Sequence, residues 1–169
     1  TYDNFSLQTV GAEVGFSWEF DPKRILNVVY KLEVQTPLDI QPGAEDEPAP
    51  TTARIGSISP TLSLDQRDDP FLTTTGTYFL VRDKASRRFL GGSNDFDRLE
   101  VDARKFRLLG SSIVLAGGLR VGYAQAHGGT SLPVGERFYV GGASTHRGFK
   151  EKELGPKGDD GSNLGGESY

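Results

Sequence analysis

Residues 10–20 read VGAEVGFSWEF, and this stretch decides the fold. Every even position is apolar, and every odd position is glycine, serine or glutamate. Strict alternation with a period of two is typical of a β-strand with one apolar and one polar face. A second alternating stretch follows the turn residues 21–24 and places apolar residues at the even positions of 26–34. The two stretches together predict a β-hairpin.

The same period of two predicts four further strands. A third covers about residues 57–67, where Pro60 would remove a ladder hydrogen bond unless it lies at a bulge or an edge. A fourth, with a weaker pattern, covers 77–82, and the fifth and sixth cover 98–104 and 113–123. The sequence contains no stretch with the pattern of an amphipathic helix, so we expect an all-β fold.

Composition limits the class of protein. The chain has 169 residues, a net charge of -4, no cysteine and no methionine. This charge implies no broad attraction to nucleic acid, so no nucleic-acid partner is expected. The absence of cysteine excludes disulfide scaffolds and thiolate sites. The apolar, uncharged run 108–119 is far shorter than a membrane-spanning helix, and no signal peptide is visible, so we expect a mature, trimmed or fragmentary chain.

The predicted connections between strands alternate in length. Short or moderate connections at 21–24, 68–76 and 107–111 alternate with long ones at 36–54, at 83–95 and after 124. Antiparallel strands meet their turns at opposite ends, so one rim carries tight turns and the other carries large loops, as in outer-membrane barrels. We expect the tight turns on the periplasmic side.

The polar face distinguishes a membrane barrel from a soluble one. Its residues are small and acidic at the odd positions of 11–19, and they carry both charge signs at the even positions of 98–104, which suits a wet lumen with paired charges. Trp18, Phe20 and Tyr30 would suit an interfacial aromatic girdle. These features favour a membrane barrel over a soluble β-sandwich or ligand-binding barrel, in which the apolar faces would point inward.

Residues 59–76 carry a strand-and-turn motif of the form D-x-R-D-x-P that ends in glycine. Its signature residues are Asp65, Arg67, Asp68, Pro70 and Gly76. Aspartate side chains commonly accept hydrogen bonds from nearby backbone N–H groups in turns. We therefore interpret this charged group as a turn-stabilising network and not as a catalytic cluster.

Residues 132–149, LPVGERFYVGGASTHRGF, carry a second and more specific motif. Its signature residues are Phe138, Tyr139, Gly141, Gly142, Arg147, Gly148 and Phe149. Together the two motifs resemble the barrel of the outer-membrane protein assembly factors, the BamA-like and TamA-like family of the bacterial surface antigen superfamily. The second motif is similar to that family's long sixth extracellular loop, with His146 where the family usually has valine or isoleucine.

The resemblance covers most of residues 55–169 and implies a partial barrel. Family barrels have sixteen strands preceded by POTRA domains, whereas this chain offers about six strands and no POTRA domain. Six strands cannot close a membrane barrel, because about eight is the smallest natural number and open edges in lipid leave unpaired backbone groups. We expect residues 1–169 to form an antiparallel transmembrane β-barrel segment, with the long extracellular loop at about 125–164.

The resemblance also implies a function. It predicts a non-enzymatic factor that folds and inserts proteins into the bacterial outer membrane without ATP. Its partners would be the lipid bilayer, unfolded outer-membrane proteins and accessory assembly lipoproteins. Barrels of the same superfamily that secrete a polypeptide, or that anchor a patatin-like lipase domain, are the alternatives.

The resemblance singles out Arg147. It implies that the loop folds back into the lumen, where the planar fork of Arg147 would hold a carboxylate, Gly148 would permit a close backbone approach, and Phe149 would pack on the wall. The family's acidic partner would lie beyond Tyr169. We expect this tip to brace the barrel, with no catalytic residue, metal or cofactor, because both histidines lack nearby partners in the sequence.

Overall fold

A computed structural model describes residues 6–38, 51–143, 147–150, 153–157 and 164–169. Its strands are β1 (Ser6–Asp21), β2 (Arg24–Leu38), β3 (Ala53–Asp65), β4 (Gly76–Ser86), β5 (Asp95–Leu109) and β6 (Ile113–His127). They form one sheet in chain order, and each neighbouring pair is antiparallel. Short 3-10 turns lie at Arg88–Leu90 and Val134–Glu136. No helix in the described part of the chain combines the length and the apolar character needed to cross a membrane.

The six predicted strands are present, and they extend further than the apolar alternation does. Pairing continues where the outward residues become polar, as between Asp95 and His127 at the end of the β5–β6 ladder. The connection predicted at 83–95 is therefore confined to 87–94, and β6 ends at His127 and not before residue 125. Most of the connection predicted at 36–54 lies outside the described residues.

Pro60 lies inside β3 and interrupts the ladder on one side only. It pairs with Val28 of β2, but on the β4 side the pairing passes from Ile58–Ala85 directly to Thr61–Arg82. Proline has no N–H to donate, so a gap in the ladder at this point is the expected consequence. The register is the same on both sides of the gap, so the strand stays in the sheet.

The apolar face of the sheet points away from the rest of the chain. Val14 is 67% exposed and Leu119 is 63% exposed, although both belong to the apolar alternation. A contiguous apolar surface of this extent is unsuited to water and suits contact with lipid. The alternative of a soluble barrel with inward apolar faces is therefore wrong for this fold, since those side chains are not gathered into an enclosed centre.

The aromatic residues predicted to form a girdle occupy different positions. Trp18 and Phe20 lie at the tight-turn rim, with ring centres 6.2 Å apart. Tyr30 lies halfway along β2, and its hydroxyl donates a hydrogen bond of 3.0 Å to the carbonyl of Leu90 in the β4–β5 connection. A side chain at Gly56 would come within 2.6 Å of the carbonyl carbon of Leu90, so this connection can fold over the outer face only where the sheet has glycine.

The described core lies on the opposite, inner face of the sheet. It consists of Ala53, Ile55, Phe96, Ala124, Leu132 and Phe138. The first four belong to β3, β5 and β6, and the last two come from the segment that follows β6. The loop after β6 therefore covers the inner face near the rim that carries the large loops.

Candidate functional site

The candidate site is the contact between the inner face and residues 132–138, which we call the loop base. Leu132 and Phe138, at its two ends, are 4% and 5% exposed. Between them the chain makes a 3-10 turn, in which the N–H of Glu136 donates to the carbonyl of Pro133 at 2.9 Å. This turn directs the side chain of Glu136 into the interface, where it is 5% exposed.

A buried group of charges joins the loop base to β2 and β4, and we call it the ion cluster. Lys84 lies 2.6 Å from a carboxylate oxygen of Glu136 and 3.2 Å from one of Glu33. Lys31 lies 2.7 Å from the other oxygen of Glu33. The Gln35 amide nitrogen donates to Glu136 at 3.1 Å. The two lysines balance the two carboxylates, as buried charges require.

Sequence reasoning did not identify the ion cluster as a site. The alternation places Lys31 and Glu33 on the polar face of the second predicted strand, and Lys84 falls in the predicted connection at 83–95. A signal was nevertheless present in the sequence. Lys31, Glu33 and Gln35 all lie at odd positions of β2, and the side chains at odd positions point to the inner face. The loop motif at 132–149 itself contains Glu136, between Pro133 and the aromatic pair Phe138 and Tyr139.

Arg98 of β5 fixes the C-terminal end of the loop base. Its Nε donates to the backbone carbonyl of Glu136 at 3.0 Å, and its guanidinium carbon lies 4.2 Å from the centre of the Phe138 ring. Cation–π contacts of this kind stabilise more when they are partly desolvated. Arg98 also pairs with Glu100 on the same strand.

The returning segment 164–169 pairs with the loop base and with the free edge of β6. Phe138 and Gly166 exchange two backbone hydrogen bonds of 2.8 Å, and Tyr169 and Gly122 exchange two of 3.0 and 3.1 Å. The Phe138 and Tyr169 rings pack edge to face with centres 4.9 Å apart. The segment 164–169 therefore runs antiparallel to the end of β6.

Further down the inner face, the predicted charges pair with one another. Asp102 accepts hydrogen bonds from the guanidinium of Arg104 at 2.7 and 2.9 Å and from Arg120 at 2.8 Å. Arg104 belongs to the same strand as Asp102, and Arg120 belongs to β6. These charges form a paired row along the wall, which is the arrangement expected for a wet lumen.

The glycines and the tyrosine of the loop signature shape the segment beyond the loop base. Gly141 and Gly142 are buried and have φ angles of +123° and +86°, which side-chain-bearing residues rarely adopt. The Tyr139 hydroxyl lies 3.3 Å from the carbonyl of Val134, to which it donates. The N–H of Gly142 donates to the carbonyl of Phe149 at 3.1 Å, so this part of the loop turns back on itself.

The loop tip, residues 147–149, lies on the surface. Arg147 and Gly148 are exposed, and Phe149 is 46% exposed. His146 lies outside the described residues. The acidic partner implied for Arg147 would lie beyond Tyr169, so the contact of the tip with the lumen wall stays a prediction.

The strand-and-turn motif forms a hydrogen-bonded network at the tight-turn rim. Both oxygens of Asp65 accept hydrogen bonds from the Arg67 side chain at 2.8 and 2.6 Å, and Arg67 also donates to the carbonyl of Pro70 at 3.1 Å. Asp68 accepts from the Thr74 hydroxyl and from backbone N–H groups across the turn. These hydrogen bonds hold the pKa of the Asp68 carboxyl well below its usual range.

Gly76 closes the same turn with a φ of +120°, and a side chain there would meet Arg67 Cα at 2.6 Å. The geometry of the motif is thus that of a structural turn.

His127 has a carboxylate partner, so the expectation that it lacks one is wrong. Its Nε2 lies 2.8 Å from Asp97, which Arg87 also binds at 2.7 and 2.9 Å. The β5–β6 register brings Asp97 and His127 together although they are 30 residues apart. Within the described residues, no group of three or more histidine, aspartate or glutamate side chains could hold a metal ion.

Comparison with known proteins identifies relatives. The Omp85 superfamily domain matches residues 1–169. The outer membrane protein assembly factor BamA of Nitratidesulfovibrio vulgaris is 27% identical over 98% of this chain and 21% of its own length. A SAM50-like protein of Schizosaccharomyces pombe is 33% identical over 67% of this chain and 24% of its own length.

A sorting and assembly machinery component 50 homolog of Mus musculus is 28% identical over 67% of this chain and 24% of its own length. The chain thus spans about a fifth to a quarter of the length of these relatives. The family match covers every residue, the six strands form a single antiparallel sheet with an outward apolar face, and the bacterial relative is named as an outer membrane protein assembly factor. The chain belongs to the Omp85 superfamily and forms part of its outer-membrane β-barrel.

Proposed function

We propose that this chain, within its full-length protein, serves to fold and insert β-barrel proteins into an outer membrane without ATP. The observation that carries the proposal is the loop base packed on the polar inner face while the apolar face points outward. This arrangement supports a barrel whose own loop lies in its lumen, rather than an open pore. The names of the bacterial, yeast and mouse relatives support assembly as the role.

The proposed substrates are unfolded outer-membrane proteins, and the proposed partners are the bilayer and accessory assembly lipoproteins. An incoming strand would add to an open edge of the barrel by β-augmentation, in which backbone hydrogen bonds supply affinity without any chemical step. The resemblance implies that the strands on either side of that edge lie outside this chain.

The test is reconstitution of the full-length protein in liposomes without nucleotide. An unfolded outer-membrane protein is added, and its insertion is followed by protection from protease and by heat-modifiable migration on gels. We expect faster insertion than into protein-free liposomes. Transfer of the added polypeptide into the vesicle interior would indicate secretion, and lipid hydrolysis by the full-length protein would indicate a lipase anchor. Either result without insertion contradicts the proposal.

The loop tip is proposed to brace the loop inside the lumen through Arg147. Replacing Arg147 with alanine in the full-length protein should lower both the heat stability of the barrel and the rate of insertion, because a buried carboxylate would lose its partner. Lys150→Ala is the matched control, since it removes an exposed positive charge three residues away. Unchanged heat stability and insertion in the Arg147 variant would contradict this role.

A further inference from the structure

We propose that the ion pair between Glu136 and Lys84 holds the loop base on the inner wall, independently of the loop tip, and we call this ion pair the latch. The latch is the part of the ion cluster that crosses from the loop to the sheet. Only the effect of the latch on protein assembly rests on the proposed function. The position of the loop base itself can be measured without any substrate.

Lys84 is the only cation of the ion cluster that contacts both carboxylates. It lies 2.6 Å from Glu136 and 3.2 Å from Glu33, whereas Lys31 contacts Glu33 alone. Without Lys84, the two buried carboxylates would face each other across the interface with no cation between them. Like charges in a desolvated site repel strongly, and the simplest relief is departure of the loop base, which carries Glu136 into water.

The orientation of Gln35 supports the same assignment. Its amide nitrogen points toward the carboxylates of Glu136 and Glu33, at 3.1 and 3.5 Å. Its amide oxygen is buried and has no hydrogen-bond partner among the described residues. A buried amide that leaves its acceptor unpaired while donating to carboxylates is oriented by their negative charge.

Backbone contact adds a second requirement. A side chain at Gly135 would come within 2.8 Å of Leu7 and 3.1 Å of the Gln35 amide carbon, so the loop base approaches β1 and β2 closely. Arg98 holds the carbonyl of Glu136 from the other side at 3.0 Å. These contacts fix the backbone of the loop base, and the fixed backbone places the carboxylate of Glu136 next to Lys84.

The latch can be tested with a buried reporter thiol. The 169 residues contain no cysteine, so Leu132→Cys, at a site 4% exposed, would provide one thiol at the loop base. A cysteine-free background of the full-length protein would be used in detergent micelles. The rate of reaction with a water-soluble maleimide then reports release of the loop base, and Ser111→Cys in an exposed turn gives the rate for a freely accessible site.

Three variants are compared in this background: Lys84→Glu, Glu136→Lys and the two combined. Each single reversal should raise the labelling rate of the reporter thiol at least about tenfold, because it leaves the ion cluster with three charges of one sign and only one of the other. The combined reversal restores two positive and two negative charges, and Gln35 can turn its oxygen toward the new lysine. Its labelling rate should return to within about twofold of the reporter background, the margin set by imperfect repacking.

Lys150→Glu provides the matched control, because it reverses an exposed charge on the same loop and should leave labelling unchanged. Heat-modifiable migration confirms that each barrel is folded. Should a single reversal fail to fold, Glu136→Gln removes only the charge and is expected to label at an intermediate rate.

Labelling that is unchanged in the single variants, or as fast in the combined variant as in the single ones, would overturn the latch. The expected labelling pattern in a protein that inserts no substrate would support the latch and overturn the proposed function.

Discussion

The loop base and the loop tip belong to one sequence motif but differ in what they contact. The loop base is buried against the inner wall and meets β2, β4 and β5 through the ion cluster and Arg98. The loop tip, at 147–149, is exposed. Among the described residues, the contacts between the loop motif and the sheet are made by the loop base, through Glu136 and Phe138. Residues of one motif thus differ in how they are held, and the acidic partner proposed for Arg147 would lie beyond Tyr169.

The largest expected effect comes from removing the aromatic anchor of the loop base. Phe138→Ala would lose a buried ring that packs on Tyr169 and under Arg98, and such truncations cost about 3–5 kcal/mol. The free energy of unfolding of the full-length protein in micelles would measure the loss. Phe149→Ala, at the 46% exposed tip, is the matched control and should cost clearly less. An equal decrease in the free energy of unfolding in the two variants would contradict the difference between the loop base and the loop tip.

A smaller effect is expected from crowding the loop base. A methyl group at Gly122 would lie 2.8 Å from Cε1 of Phe138 and 2.7 Å from Cδ1 of Tyr169, and closer still to Cε1 of Tyr169, so Gly122→Ala must displace these rings. Overpacking of this kind costs about 1–3 kcal/mol. Gly117→Ala on the same strand has nothing within 4 Å of the added methyl group and should leave the free energy of unfolding nearly unchanged. The unfolding midpoints of the two variants in denaturant would measure the difference, and similar midpoints would contradict the packing.

The smallest effect is expected at the tight-turn rim, in the strand-and-turn motif. Hydrogen bonds from Thr74 and Thr75 lower the pKa of Asp68 in the folded protein, so its carboxylate stabilises the fold above the ordinary pKa of about 4. This stabilisation is lost as the pH falls further below that value, because the carboxylate must then be protonated. Asp68→Asn should therefore lower the unfolding midpoint at pH 7, and the difference from the unsubstituted protein should shrink in acid.

The same variant should leave the labelling rate of a thiol introduced in place of Leu132 unchanged. An Asp68→Asn protein with a constant midpoint difference from pH 7 to pH 3 would show that the carboxylate charge does not contribute.

The sequence predicted the sheet well because its signal is local. Alternation at 10–20 and 113–123 depends only on neighbouring residues, and it indicated the strands. The small and charged residues of the polar face indicated that the apolar face points outward. The strand ends were less predictable, because pairing such as that of Asp95 with His127 continues between polar residues.

The loop contacts depend on register and not on local pattern. Glu136 contacts Lys84 and Gln35, which lie 52 and 101 residues away in the sequence. The residues around them in the sequence do not predict these contacts. The partner of His127 was missed for the same reason, since Asp97 lies on the neighbouring strand. The turn at 65–76 was predictable, because its aspartates bond to residues only a few positions away.

The gap in the β3–β4 ladder places a mechanical weak point beside the latch. The pairing omits Ser59 and Pro60 on one strand, and Asp83 and Lys84 on the other. Because fewer backbone hydrogen bonds join β3 to β4 at this point, we expect the wall to bend more easily there when its curvature changes. Such a change would move Lys84, so the shape of the barrel and the position of its loop would be coupled.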